Sequence, residues 1–351
     1  MSRILYLSCH SILEYDEVKL FHDMGHQVFS PGAYVEPANP GNPFLRPGIA
    51  DLKYDEDVLA QFHKIGGEHP GEDGKDYLTK EFVDNFDVVI CMHMPRWITK
   101  NWEAMKHKPV IWRTIGQSIS STEAELAPYR RAGLKIVRYS PMEDNIPGFI
   151  GSDALIRFYK DPCEYSGWNG KEARVITFAQ HMQRRASACN YNLFEEATRP
   201  FPRLLCGPGS ETDEATGEPR RWGTGEVPYT RLKEEMRNNR AYFYTGTHPA
   251  SYTLNFIEAW MIGIPIVAIG SDKGNAHYFL NHNLYEIPQL IQHEYSGFIS
   301  NNVNHLQFYV DQLLQNPELA QLISANGRAA AIRLFGRDQA VQGWDAMLRK
   351  L

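Results

Sequence analysis

The carboxylate of Glu258 stands in a stretch, "FIEAWMIGIPIVAIG" (256–270), in which nearly every neighbour is apolar. Residues 255–262 have helical composition and Gly263 is the expected stop. Pro265 then opens the β-branched run 266–269 of a buried parallel strand. The spacing therefore predicts Glu258 in the first turn of a helix packed on a sheet. A helix dipole favours a carboxylate there, and the same position suits it to accept hydrogen bonds from a ligand's hydroxyls. A plain N-terminal charge is the competing reading. A second stretch, "PRWITKNWEAMKHKPVIWR" (95–113), sets Arg96, Lys100, Lys106, Lys108 and Arg113 against Glu103, with three tryptophans interleaved. Basic residues mixed with aromatics suit nucleic acid or another anionic acceptor. The favoured alternative is an amphipathic helix with core tryptophans and solvated lysines. The "DED" at 55–57 has the form of a metal-binding D-x-D, but it opens a helical stretch where acids are favoured anyway.

These residues need a scaffold, and 351 residues are long for one core, so two domains are expected. Hydrophobic content of 43% is globular, and a net charge of -6 argues against wholesale nucleic-acid binding. Five scattered cysteines without a CxxC pair read as reduced thiols of a cytoplasmic protein. The opening "MSRILYLSCHSILEYDE" enters a strand directly and is not a signal peptide, and no apolar run is long enough to span a bilayer. Strand and helix patterns alternate throughout, which predicts an α/β fold with parallel sheets. Strands are expected at 3–8, 26–30, 87–93, 109–114 and 134–140, then at 173–179, 203–207, 241–246, 264–270 and 296–300. Helices are expected near 12–24, 54–64, 98–107 and 121–132, and from 303 to the end. The Pro/Gly-rich 30–49 is a long loop, and 207–228 carries enough Gly, Pro and charge to be mobile. The domain reading is 1–157, a linker 158–172, 173–335, and a C-terminal helix 336–351 packing back on the first domain.

Two doubly wound domains facing each other leave a cleft at the carboxyl ends of both sheets, with phosphates expected at helix N-termini. That puts "THPASYTLN" (247–255) at a predicted anion site. The main-chain N–H groups of Ser251, Tyr252, Thr253 and Leu254 would be available at the helix start. Glu258, one turn on, would then hold the ribose of a nucleotide.

With these residues in view, the sequence resembles the GT-B nucleotide-sugar glycosyltransferases, in particular the retaining "glycosyl transferases group 1" family. That family carries Glu, seven residues, Glu and an "EAMACGTPVVA"-like run; here the run is "EAWMIGIPIVA" (258–268), with Ala250 at the first glutamate. "EIPQLIQHEYSGFI" (286–299) resembles its Glu-containing turn, with Gln289 where Glu is usual, and "IPGFIGSDALIRFYKDP" (146–162) resembles its linker. The closing segment with its final tryptophan helix is also similar. The match covers most of 146–351, and the first half only by pattern.

The resemblance implies two Rossmann-like parallel-sheet domains, a nucleoside diphosphate sugar such as a UDP-sugar as donor, and neither metal nor cofactor. The family's phosphate loop appears as "AQHMQRR" (179–185), where Arg185 matches its lysine and Arg184 substitutes for its arginine; the pair would clamp a diphosphate and stabilise the leaving group. His93 at the end of its strand would contact the donor sugar, and Gly207 in "GPG" would pass beneath the nucleoside. His10 would be the base of an inverting alternative, oriented by Glu14 or Asp16. The 8–16, 30–49 and 114–121 loops would bind the acceptor, bringing in Glu14, Asp16, Arg113 and Gln117. The expected activity is sugar transfer to a hydroxyl acceptor, a small molecule or glycan, with retention of configuration. The alternatives are a phage-type glycosyltransferase acting on a hydroxymethylated base in duplex DNA, and a non-enzymatic nucleotide-sugar-binding module. A nucleotide-sugar 2-epimerase shares the fold, but its acidic and histidine constellation is missing from the sequence.

Overall fold

The computed structural model describes residues 1–32, 55–68, 77–116, 119–274 and 282–351. Most of the predicted 30–49 loop, and Gln117 of the 114–121 loop, lie outside these residues. The chain divides into two compact units, Met1–Arg157 with Ala340–Leu351, and Phe158–Gln339. No described helix is long and apolar enough to cross a membrane.

Unit 1 is built on β1 (Arg3–Leu7), β2 (Gln27–Phe29), β3 (Val88–Met92), β4 (Val110–Arg113), β5 (Lys135–Arg138) and β6 (Ala154–Leu155). These form one sheet in the order β2-β1-β3-β4-β5-β6, parallel at every pairing. Its helices are α1 (Ser11–Asp23), α2 (Glu56–Glu68), α3 (Lys80–Val83), α4 (Pro95–Met105) and α5 (Ser120–Arg131). β3 is buried along its whole length, as expected of a central parallel strand covered on both faces. The basic, aromatic stretch resolves into core and surface. Trp97 and Trp112 are buried, Trp102 meets the Tyr129 ring edge-on at 5.3 Å, and Lys106 pairs with Glu103. The "DED" is a helix start: Asp55 Oδ1 accepts the N–H groups of Asp57 and Val58 at 3.0 and 3.2 Å.

Unit 2 carries β7 (Glu172–Phe178), β8 (Arg203–Cys206), β9 (Asn239–Tyr244), β10 (Ile266–Ile269) and β11 (Phe298–Ser300). Their order is β11-β10-β9-β7-β8, again all parallel. The helices are α6 (Ala186–Cys189), α7 (Tyr191–Thr198), α8 (Tyr229–Asn238), α9 (Leu254–Ile262), α10 (Ser271–Gly274), α11 (Ile287–Leu290), α12 (Val303–Gln315) and α13 (Pro317–Phe335). The last, α14 (Arg337–Leu348), belongs to unit 1 from Ala340 onward. Residues 256–262 are all buried, and within that stretch α9 is apolar all round except for Glu258. Gly263 ends it with φ 103, a left-handed conformation that a side chain would strain. Arg328 supports that end, donating to Met261 O, to Tyr165 O (2.6 Å) and to Pro162 O (2.9 Å). A cation at a helix C-terminus is electrostatically favoured, and here it also ties the 158–172 segment into unit 2.

The 207–228 segment, expected to be mobile, is pinned. Leu205 N–H donates to Trp222 O (2.8 Å), Thr224 N–H to Leu205 O (3.0 Å) and Gly207 N–H to Gly225 O (3.0 Å), a short parallel ladder along the open edge of β8. The Arg220 guanidinium locks the rest, bonding Thr212 O at 2.6 Å and Asp213 Oδ2 at 3.0 Å. Covering an edge strand removes a template for aggregation.

The interior of unit 1 holds a charged pair. Arg113, expected at an acceptor site, is instead fully buried, with Nε 3.0 Å and Nη2 2.9 Å from Glu17 Oε1. Its Nη1 donates to Ile156 O at 2.6 Å, and its guanidinium lies 5.7 Å from the Trp344 ring of α14. Trp344 itself is buried edge-on against Phe21 of α1. Arg113→Ala should therefore leave Glu17 buried without its counter-charge and destabilise unit 1 by about 3–5 kcal/mol in urea unfolding. Arg113→Met with Glu17→Gln should recover most of that loss; a single variant as stable as wild type would refute the assignment.

Candidate functional site

Both sheets have a topological switch point, where strand order reverses and ligands of doubly wound folds bind. In unit 2 it lies beyond the carboxyl ends of β7 and β9. The loop after β7 (residues 179–185) carries Arg184, exposed, and Arg185, whose Nη1 lies 3.4 Å from Gln180 O. The loop after β9 runs from Thr245 to Thr253, the N-cap of α9. The second loop is tied to α6, which follows the first: His248 N–H donates to Ala188 O at 2.8 Å and Asn190 Nδ2 to Thr245 O at 2.9 Å. Two cationic side chains and a helix start are thereby held on neighbouring strands.

The start of α9 is only partly open to an anion. Thr253 N–H, predicted as a phosphate donor, instead donates to Tyr244 OH at 3.1 Å. Tyr252 is a core ring packed between Phe158 and Phe335, and Ser251 is buried with its carbonyl accepting Glu286 N–H at 3.1 Å. Thr253 Oγ1 caps the N–H of Phe256. Among the described residues, the N–H groups of Leu254 and Asn255 take no partner, and they are the first-turn donors an anion would use. Gly207 also departs from expectation. Its N–H is bound to Gly225 O, and a Cβ there would come 2.3 Å from Ala179 O, so this glycine serves the close approach of two loops.

Glu258 lies in the second turn of α9, not the first, and it is buried rather than exposed to solvent. Its Oε1 is 2.7 Å from Lys160 Nζ and 3.3 Å from Tyr165 OH. Its Oε2 takes no hydrogen bond from the described residues. Half of this carboxylate is structural and half is unspent. Lys160 and Tyr165 were not foreseen, because a lysine in a polar, turn-rich segment carries no sequence signal of burial.

In unit 1 the switch point lies beyond β1 and β3, where Ser8 Oγ meets Met92 Sδ at 3.7 Å. His10 is the N-cap of α1, its Nδ1 3.5 Å from Leu13 N–H. Glu14 and Asp16, expected to orient it, are buried elsewhere on α1, and Glu14 Oε1 accepts from Ser30 Oγ at 2.7 Å. His93 follows β3 with φ 61, rare for a residue with a side chain. Its backbone is fixed at both ends, N–H to Arg113 O (2.8 Å) and carbonyl to Trp112 Nε1 (2.9 Å). Its Nδ1 is buried without a partner among the described residues, and burial holds the imidazole below its ordinary value. No group of three or more His, Cys, Asp or Glu side chains is placed to hold a metal among the described residues.

No protein-family model and no curated protein matches the chain. Solved structures do. Anabaena HepE, in complex with UDP-glucose, is similar with TM-score 0.66 at 13% identity over 100% of both chains. Sucrose-phosphate synthase from Thermosynechococcus elongatus gives 0.65 at 13% identity, covering 100% of this chain and 99% of that one. A glycosyltransferase from Rickettsia africae gives 0.65 at 12%, covering 99% and 98%. With both sheets parallel and both units Rossmann-like, the chain has the GT-B fold that the sequence resemblance implied.

His93 generates a prediction. The folded state favours its neutral form, so below the ordinary histidine value the unfolded chain takes up the proton first and stability falls as pH falls. His26 and His282 shift the same way through burial, so the three share the slope. His93→Asn, which tolerates the left-handed backbone, should flatten the loss of stability below about pH 6.5 in urea titrations. An unchanged slope would show that His93 protonates as readily folded as unfolded.

Proposed function

We propose that the protein is a glycosyltransferase that moves a sugar from a nucleoside diphosphate donor to a hydroxyl acceptor. The observation that carries this reading is the unbonded Oε2 of buried Glu258, one turn into the helix whose preceding loop is tied to the segment that follows Arg184 and Arg185. A carboxylate oxygen left unbonded on a largely buried side chain is an acceptor that a ribose hydroxyl can use, and a hydrogen bond to a charged group is among the stronger ones. Arg184, Arg185 and the Leu254 and Asn255 amides are the complementary groups for a diphosphate. The GT-B fold, and the UDP-glucose bound in HepE, agree with a nucleotide-sugar donor.

In this reading the sugar–phosphate bond breaks while negative charge grows on the leaving diphosphate, and the guanidiniums stabilise that charge. Transfer with retention is favoured, the departing phosphate oxygen taking the proton of the acceptor hydroxyl. The inverting route through His10 has less support, because its Nδ1 caps α1 by accepting Leu13 N–H and Glu14 Oε1 is engaged by Ser30 Oγ. His93, on a rigid turn with an unpartnered Nδ1, is the unit 1 group proposed to meet the donor sugar.

A small molecule or glycan is the proposed acceptor. Duplex DNA would need the 95–113 stretch to present aromatics and cations, whereas Trp97, Trp112 and Arg113 are buried.

The test is turnover of a panel of UDP-sugars and other nucleoside diphosphate sugars, read as release of the diphosphate, which needs no known acceptor. Arg185→Ala should lower kcat by about 10²–10³. If only KM rises, the residue supplies uniform binding. If wild type neither binds nor turns over any donor, the reading fails.

A further inference from the structure

A chain of polar contacts crosses unit 2 and ends on a single oxygen of Glu258. At its outer end, Glu164 Oε1 lies 3.3 Å from Lys233 Nζ and accepts from Tyr229 OH at 3.1 Å. Tyr229 OH contacts Tyr165 OH, and Tyr165 OH reaches Glu258 Oε1 at 3.3 Å. Lys160 Nζ lies 2.7 Å from that same oxygen and 3.5 Å from Tyr165 OH. Lys160, Tyr165 and Glu258 are all buried.

We infer that Lys160 and Tyr165 are positioning residues, which turn the Glu258 carboxylate so that Oε2 meets the 2′-hydroxyl side of a ribose. They thereby set a preference for ribonucleotides over 2′-deoxyribonucleotides. The inference rests on the donor-site reading above. A glutamate has several rotatable bonds, and two donors converging on one oxygen fix the plane and the direction of the other. Selectivity follows because a carboxylate oxygen fixed in direction makes a charged hydrogen bond to the hydroxyl that the analogue lacks.

Proton counting separates this role from mere structure. A tyrosine has one O–H proton. Glu258 Oε1 and the Tyr229 oxygen are both in reach of the Tyr165 proton. Tyr165→Phe deletes the donor to Glu258. Tyr229→Phe deletes the competing acceptor, together with the Tyr229 bond to Glu164, and leaves the Tyr165 proton to Glu258. A cluster that merely packs would answer both deletions alike.

The experiment is calorimetric titration of the full chain with UDP and with 2′-deoxy-UDP. Wild type should prefer UDP by roughly 10- to 100-fold, the range for a hydrogen bond to a charged group. Tyr165→Phe should cut that preference by roughly tenfold, and Tyr229→Phe should leave it within about twofold. Lys160→Arg keeps the counter-charge while shifting the donor, so it should lower the preference even where a Tyr165→Phe protein does not fold. Equal effects of the two tyrosine variants, or a preference that survives both Tyr165→Phe and Lys160→Arg, would overturn the inference. A wild type that binds both nucleotides equally also overturns it while leaving the nucleotide site standing. A wild type that binds neither removes the donor site and the inference together.

Discussion

A carboxylate placed on an apolar, fully enclosed helix must be neutralised, and the Lys160–Glu258 pair meets that constraint in unit 2. Its consequences reach well beyond one contact. Lys160 can serve only if the 158–172 segment packs against α9. Arg328, Trp168 and the Lys160 main chain hold it there through Tyr165 O, Asn239 O and Phe335 O. Replacing such a pair by apolar residues is often neutral for stability. The candidate role of Glu258 as a ligand acceptor therefore accounts for its presence better than any stabilising effect does.

Unit 1 solves a similar problem with Glu17 and Arg113, and to a different end. There both partners bond within the core: Glu17 also accepts from Tyr6 OH, and Arg113 also bonds Ile156 O. The Tyr6 phenol is held well above its ordinary value, first by burial and then by the Glu17 charge, so it stays a donor. This network braces β1, β4 and α1 and offers Trp344 of α14 a cationic face. A buried charge with its counter-charge can thus brace a core, as Arg113 does with Glu17.

The same accounting applies to the loops. Thr253, Ser251 and Gly207 stand at or beside strand and helix ends where a ligand would bind, yet their backbone groups are already committed to Tyr244, Glu286 and Gly225. Among the described residues, Arg184, the Leu254 and Asn255 amides and Glu258 Oε2 take no hydrogen bond there. A cation, N–H donors and a carboxylate acceptor are the groups that the proposed nucleoside diphosphate would use.

The sequence by itself determined the ten longer strands and the parallel α/β architecture, because buried parallel strands are continuous apolar runs and their connecting helices keep a separate period. It also determined the stop at Gly263 and the core tryptophans of 95–113. It missed the two-residue β6 and the ordering of 207–228. Two residues are too few to show a period, and an edge ladder made by Trp222–Gly225 depends on main chain rather than side chains. Tertiary structure alone decided which charges are spent. Arg113 and Arg185 are the same residue type at the edge of a strand or loop, and only the arrival of Glu17 from α1 makes one of them core. Lys160 and Glu258 are 98 positions apart along the chain. Packing brings them together, and with that contact it fixes which oxygen of Glu258 is bonded within unit 2.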